Sequence, residues 1–144
     1  ALHVEVQSAT KPVHSGTAGG MLADSVIALN VLLSRLFWDH KKIPVPGLYD
    51  KVRKLSRKER NDFRKILPSD EKLRSDTGVL EGVELALEKK SNAHEATWRM
   101  PSITVIAQEA SSIKGASNQV LPSAQAIVSC RIVPDQEPEE VYEQ

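Results

Sequence analysis

Leu2, Val4 and Val6 alternate with His3, Glu5 and Gln7. A period of two predicts a strand over Leu2 to Ser8 with one buried face and one wet face. One-sided burial favours an antiparallel or mixed sheet. Further along, Leu22, Val26, Leu29, Leu33 and Leu36 recur at steps of four and three. That spacing predicts a helix from about Met21 to Phe37 with a continuous apolar stripe. Ile27, Val31 and Leu32 add apolar surface beside the stripe, so this helix either lies deep in a core or also packs on a partner. Asp39-His40-Lys41-Lys42 is expected to end it, because Pro44 and Pro46 forbid its continuation.

The pattern then loses its period. Pro44-Val45-Pro46-Gly47-Leu48-Tyr49-Asp50 reads as an extended loop. Ser56-Arg57-Lys58-Glu59 is a capping box that opens a short helix to about Ile66. Pro68-Ser69-Asp70-Glu71 starts another, broken by Gly78, and a third is expected from Gly82 to Lys90. The stretch 43–99 is thus a helical insertion between sheet elements.

Alternation returns at Ser102 to Glu109, and again at Ala124 to Val133 after a polar loop over Ala110 to Pro122. In the second of these strands Ala124, Ala126, Val128, Cys130 and Ile132 face one way; Gln125, Ile127, Ser129, Arg131 and Val133 face the other. Pro134 stops it, and Pro138-Glu139-Glu140 opens a last helix. The order strand, helix, insertion, strand, strand, helix predicts an α/β chain. Its expected form is a ferredoxin-like two-layer sandwich, mostly antiparallel, with helices on one face and the final strand missing. One domain over 1–144 is expected, as a segment of a longer protein. A neighbouring strand edge would then be left bare.

Composition narrows the function classes. The 144 residues carry 19 basic and 19 acidic side chains, so neither a nucleic-acid nor a membrane partner is expected. Only 4% are aromatic, which leaves an aliphatic core, and the single cysteine, Cys130, excludes an internal disulfide and a cysteine-based zinc cluster. The histidines His3, His14, His40 and His94 are scattered without metal-ligand spacing. Lys51 to Lys65 holds eight basic and two acidic residues; a solvated helix face explains it better than a nucleic-acid patch, since no aromatic platform accompanies it.

The chemistry concentrates at Val13-His14-Ser15-Gly16-Thr17-Ala18-Gly19-Gly20, between the first strand and the long helix. A glycine-rich turn there can present a side chain to a ligand. His14 is the candidate, although a loop histidine is most often just solvated. The same turn could cradle a phosphate or nucleotide, but it lacks the Lys-Ser/Thr of a Walker loop and the Gly-x-Gly-x-x-Gly spacing. Arg131, on a strand's polar face, can grip a carboxylate bidentately; a plain surface arginine is the alternative. A non-catalytic ferredoxin-like regulatory module also stays open.

Taken together, these motifs resemble one family. Val13 to Gly20, the Ile43 to Asp50 loop, Trp98-Arg99-Met100-Pro101-Ser102 and Arg131-Ile132-Val133-Pro134 are similar to the dimerisation (lid) domain of the zinc-dependent aminoacylase/carnosinase metallopeptidases, nearest the cytosolic nonspecific dipeptidase branch. The resemblance implies a lid that forms a homodimer through the 21–37 helix and the 102–109 strand. It implies that His14 reaches the partner subunit's site and hydrogen-bonds the carbonyl of a peptide or N-acyl amino acid substrate. Arg131 takes the role of binding the substrate's terminal carboxylate, and Asn118, with Gly115, that of a loop contact to substrate. The family's zinc ligands belong to a separate catalytic domain, so this chain is expected to hold no metal or cofactor and to be inactive alone. The compartment is left open, with the cytoplasm as the expectation.

Overall fold

A computed structural model of the chain describes residues 1–36, 42–87 and 92–144. They fall into two compact units: Ala1–Phe37 with Ile103–Arg131, and Trp38–Ser102 with Ile132–Gln144. The architecture is α/β with antiparallel sheets, as the alternation predicted.

In the first unit, β1 (Leu2–Gln7) leads to a short β2 (Val13–His14), a single turn of helix α1 (Ser15–Ala18) and the long helix α2 (Ser25–Ser34). The chain returns with β3 (Ser102–Glu109), a 3-10 turn at Ile113–Gly115, a short β4 (Gln119–Val120) and β5 (Ser123–Arg131). β5 is central in the order β1-β5-β3, and β2 pairs with β4 in a second small sheet. The β1–β5 register sets Val4 against Ala126 and Val6 against Ala124. Because side chains alternate, this places all four on one face. Leu29 of α2 seats on that face with no exposed surface, and Val26 and Leu33 pack around it. Burial of that stripe is what fixes the register, since a slip of one residue would turn the apolar set outward.

The helix is shorter than predicted. Asp24 caps it by accepting from the Ile27 amide at 2.9 Å, so Met21 and Leu22 lie outside it. The expected stop at Asp39-His40 lies outside the described residues. Ile27, Val31 and Leu32, the surplus beside the stripe, stay exposed at 65%, 53% and 41%. β3 is exposed over most of its length.

The second unit holds α3 (Arg57–Ile66), α4 (Asp70–Thr77), α5 (Ala93–Arg99) and α6 (Pro138–Tyr142). The capping box is present, with the Ser56 hydroxyl accepting from Glu59 N and the Glu59 carboxylate accepting from Ser56 N. Gly78 ends α4 in the left-handed region, where glycine carries no Cβ penalty. The third predicted helix is a correction: residues 82–87 are not helical, and the helix lies at 93–99, opened by Asn92 capping Glu95. Gly82, in the left-handed conformation, is a poor helix former, while an Asn cap with Glu three residues on is a start signal that had gone unread. Strand β5 stops at Arg131, short of the predicted Val133. Beyond it the alternation no longer holds, so Val133, assigned to the wet face, is buried at 7%.

Candidate functional site

The predicted glycine turn is more ordered than a loop. Val13 pairs with Val120 and His14 with Gln119, and the Ser15 amide donates to the Asn118 carbonyl at 2.9 Å. His14 and Asn118, distant in sequence, are thereby brought together. The bracing pair is only two residues long, too short to show a period, which is why it was not predicted. Behind it, the Pro122 carbonyl accepts from the Ser8 amide at 2.8 Å and from the Ser25 hydroxyl at 3.0 Å. Ser25 is fully buried at the start of α2, so the turn is tied to the sheet and helix beneath it.

His14 is the N-cap of α1. Its Nδ1 accepts a hydrogen bond from the Gly16 amide at 3.0 Å, and the ring is otherwise exposed. Gly19 donates to the Ser15 carbonyl at 2.7 Å, while Met21 and Leu22 donate to the Ala18 carbonyl. These amides are therefore spent within the turn. A phosphate cradle needs free N–H groups converging on a ligand, and Gly16, Gly19, Met21 and Leu22 have none to give.

Gly115 closes the 3-10 turn, where an added Cβ would meet nothing within 4 Å. Arg131 is not brought to His14. It ends β5, whereas the His14 pair lies beyond the Ser123 end. At ~3.4 Å per residue the strand between Ser123 and Arg131 is roughly 27 Å long.

The second unit pairs its charges internally. Arg53 engages Asp135, Lys51 engages Glu140, Arg99 Nη1 reaches Glu59 Oε1 at 2.8 Å, and Arg60 reaches the buried Glu95 at 3.2 Å. The basic run 51–65 is a solvated face, with all eight of its basic side chains exposed; Lys51, Arg53 and Arg60 also reach acids distant in sequence. Asp135 is held below the usual carboxylate range by the hydrogen bond from Arg53. Glu59 is pulled down to about 2 by the Ser56 amide first and by Arg99 next. A cavity of about 400 Å³ lies among Arg53, Lys54, Glu59, Arg99 and Asp135; Arg53 is paired there with Asp135 and Arg99 with Glu59. Among the described residues no group of three His, Cys, Asp or Glu side chains could hold a metal ion, so these residues do not fit a zinc site. No described helix is long and apolar enough to cross a membrane.

No family model matches the chain. It is 29% identical over 140 residues to a cysteinylglycine-S-conjugate dipeptidase of Corynebacterium striatum, covering 97% of this chain and 29% of that protein. It is 30% identical over 130 residues to the human Beta-Ala-His dipeptidase, covering 90% and 24%. The crystal structure of human carnosine dipeptidase 1 superposes with a TM-score of 0.84 at 29% identity, over 99% of this chain and 30% of that one. The chain resembles the dipeptidase family over nearly its whole length. It spans less than a third of the dipeptidases it matches, and shares the α/β fold of the matching segment.

Proposed function

We propose that this chain is the dimerisation and substrate-contacting lid domain of a zinc-dependent dipeptidase-type metallopeptidase that hydrolyses peptide or amide bonds. The zinc is held by a separate catalytic domain. In this reading His14 hydrogen-bonds the substrate carbonyl and the oxyanion that develops on it, inside the site of a second copy. Arg131 grips the terminal carboxylate of the substrate, and Asn118 with Gly115 contacts it from the neighbouring loop.

The observation that carries the reading is the His14 ring. It is exposed on a braced turn, with one nitrogen occupied by Gly16 and the other without a partner among the described residues. The spacing to Arg131 supports the homodimer. A dipeptide spans only ~7 Å, against roughly 27 Å of strand between Ser123 and Arg131, which favours a reading in which the two groups that meet one substrate come from different copies. The exposed Ile27 and Val31 on α2, with Val105 and Ile106 on β3 at 40% and 60%, support self-association through that helix and strand.

The test is kinetic. In the longer enzyme carrying this segment, His14→Ala lowers kcat on a dipeptide by ~100-fold or more, the usual loss of an oxyanion donor, with little change in KM. An unchanged kcat refutes the role. The chain alone with added zinc gives no dipeptide turnover; turnover at an enzyme-like rate refutes the assignment of catalysis to another domain.

A further inference from the structure

A backbone N–H can only donate a hydrogen bond. The Gly16 amide lies 3.0 Å from His14 Nδ1, so Nδ1 supplies a lone pair there, and the proton of the neutral ring sits on Nε2. The same bond fixes which way round the ring lies, since a flipped ring would offer the amide a C–H. We propose that Gly16 is a positioning residue that locks His14 in the Nε2–H tautomer, so that the turn presents a hydrogen-bond donor and not an acceptor to a carbonyl-bearing ligand. This rests on the reading of His14 as the contact to the substrate carbonyl.

The surrounding geometry serves that lock. A carbonyl or an oxyanion has only lone pairs to offer, so a ring with its proton on Nδ1 would meet it with a repelling lone pair. The ring lies directly against Gly16: a Cβ there would sit 3.1 Å from Nδ1 and 3.2 Å from Cε1. Glycine at this position keeps both the amide and the ring in place. The backbone that aims the amide is pinned on both sides, by Ser15 N to Asn118 O at 2.9 Å and by Gly19 N to Ser15 O at 2.7 Å. None of these bonds is needed to make the turn polar; together they set the direction of one N–H.

The test is nitrogen-15 NMR of the labelled chain at about pH 8.5, well above the ordinary imidazole pKa of ~6.5. The expected spectrum shows His14 Nε2 protonated and Nδ1 unprotonated without tautomer averaging, with a scalar coupling from the Gly16 amide to Nδ1. A proton on Nδ1, or the averaged shifts of a free imidazole, overturns the proposal. Gly16→Ala is expected to move His14 toward averaged shifts while His3 and His94 stay unchanged; an unmoved His14 overturns it as well. Should that variant fail to fold, the spectrum of the unaltered chain decides alone. In the longer enzyme, His14→Asn keeps a capping acceptor but loses the ring, and a ~100-fold fall in kcat is expected. A locked ring with unchanged kcat sinks the substrate-contact reading only, and an averaged ring with a depressed kcat sinks the lock only.

Discussion

Replacing Gly19 by alanine puts a methyl carbon 2.4 Å from the Ser15 carbonyl oxygen. That oxygen is backbone, and it already accepts the Gly19 amide at 2.7 Å, so it cannot rotate away. Relief requires opening α1 and giving up that hydrogen bond, worth about 1 kcal/mol, or accepting overpacking strain of about 1–3 kcal/mol. The loss cannot exceed the cost of opening the turn locally, so about 2 kcal/mol is expected. Gly20 offers a control with a different cause: its φ is +79° and an added Cβ meets nothing, so alanine there costs only the left-handed strain of about 1 kcal/mol. Gly115→Ala, in open space, is expected to be neutral. The assay is amide hydrogen exchange at Ser15 and Leu22, read against the β1 and β5 amides as an internal standard. At a factor of ten per 1.4 kcal/mol, exchange accelerates ~30-fold for Gly19→Ala and ~5-fold for Gly20→Ala. Equal rates in the two variants, or no change at Ser15 in Gly19→Ala, would refute the contact argument.

Leu29→Ala empties the centre of the first unit. Its neighbours Ala124 and Ala126 are too small to fill the space, so a loss of about 3 kcal/mol is expected by urea denaturation followed by circular dichroism, and a loss under 1 kcal/mol would contradict that packing. Acid should loosen the second unit at Glu59. Its folded pKa of about 2 lies below the ordinary 4.5, so its contribution is complete above pH 4.5 and fades as pH falls toward 2; removing the partner with Arg99→Gln should flatten that part of the titration curve, and an identical curve would be evidence against the pair. Val31→Lys with Ile106→Lys should abolish self-association in sedimentation, and a dimer that survives both rules out that face. Ser56→Ala removes one half of the capping box and should cost α3 about 1 kcal/mol in thermal unfolding, with no change arguing against the cap.

Periodicity revealed what was repeated often enough to register. The β1 alternation, the Val26, Leu29 and Leu33 part of the helical stripe and the Ser56–Glu59 box stand where the spacing put them, because each is decided by near neighbours. What was lost was non-local or too short. The Val13–Val120 pair is two residues long, and the third helix of the insertion was assigned to a glycine-led stretch while Asn92 held the start signal. Of the candidate site, His14 was legible from its glycines and Asn118 came beside it through a carbonyl that no motif encodes. The Gly16 amide on Nδ1 could not be read at all, since a residue two places away is close in sequence without facing the ring by necessity. Arg131 was legible as a strand arginine, but its remoteness from His14 follows only from which strands pair.

The cross-linked charges of the second unit bear on how the protein answers its medium. Ile43, Leu48 and Val133 are its buried aliphatics, and Arg53–Asp135, Lys51–Glu140, Arg99–Glu59 and Arg60–Glu95 join its segments. Exposed pairs weaken as dissolved ions shield them, whereas the oily contacts around Leu29 do not depend on that shielding. Raising sodium chloride should therefore slacken one half of the molecule and spare the other, with Trp98, stacked on His94 at 4.2 Å and one of two tryptophans in the chain, as a fluorescent reporter of the half that yields once Trp38 is replaced by phenylalanine.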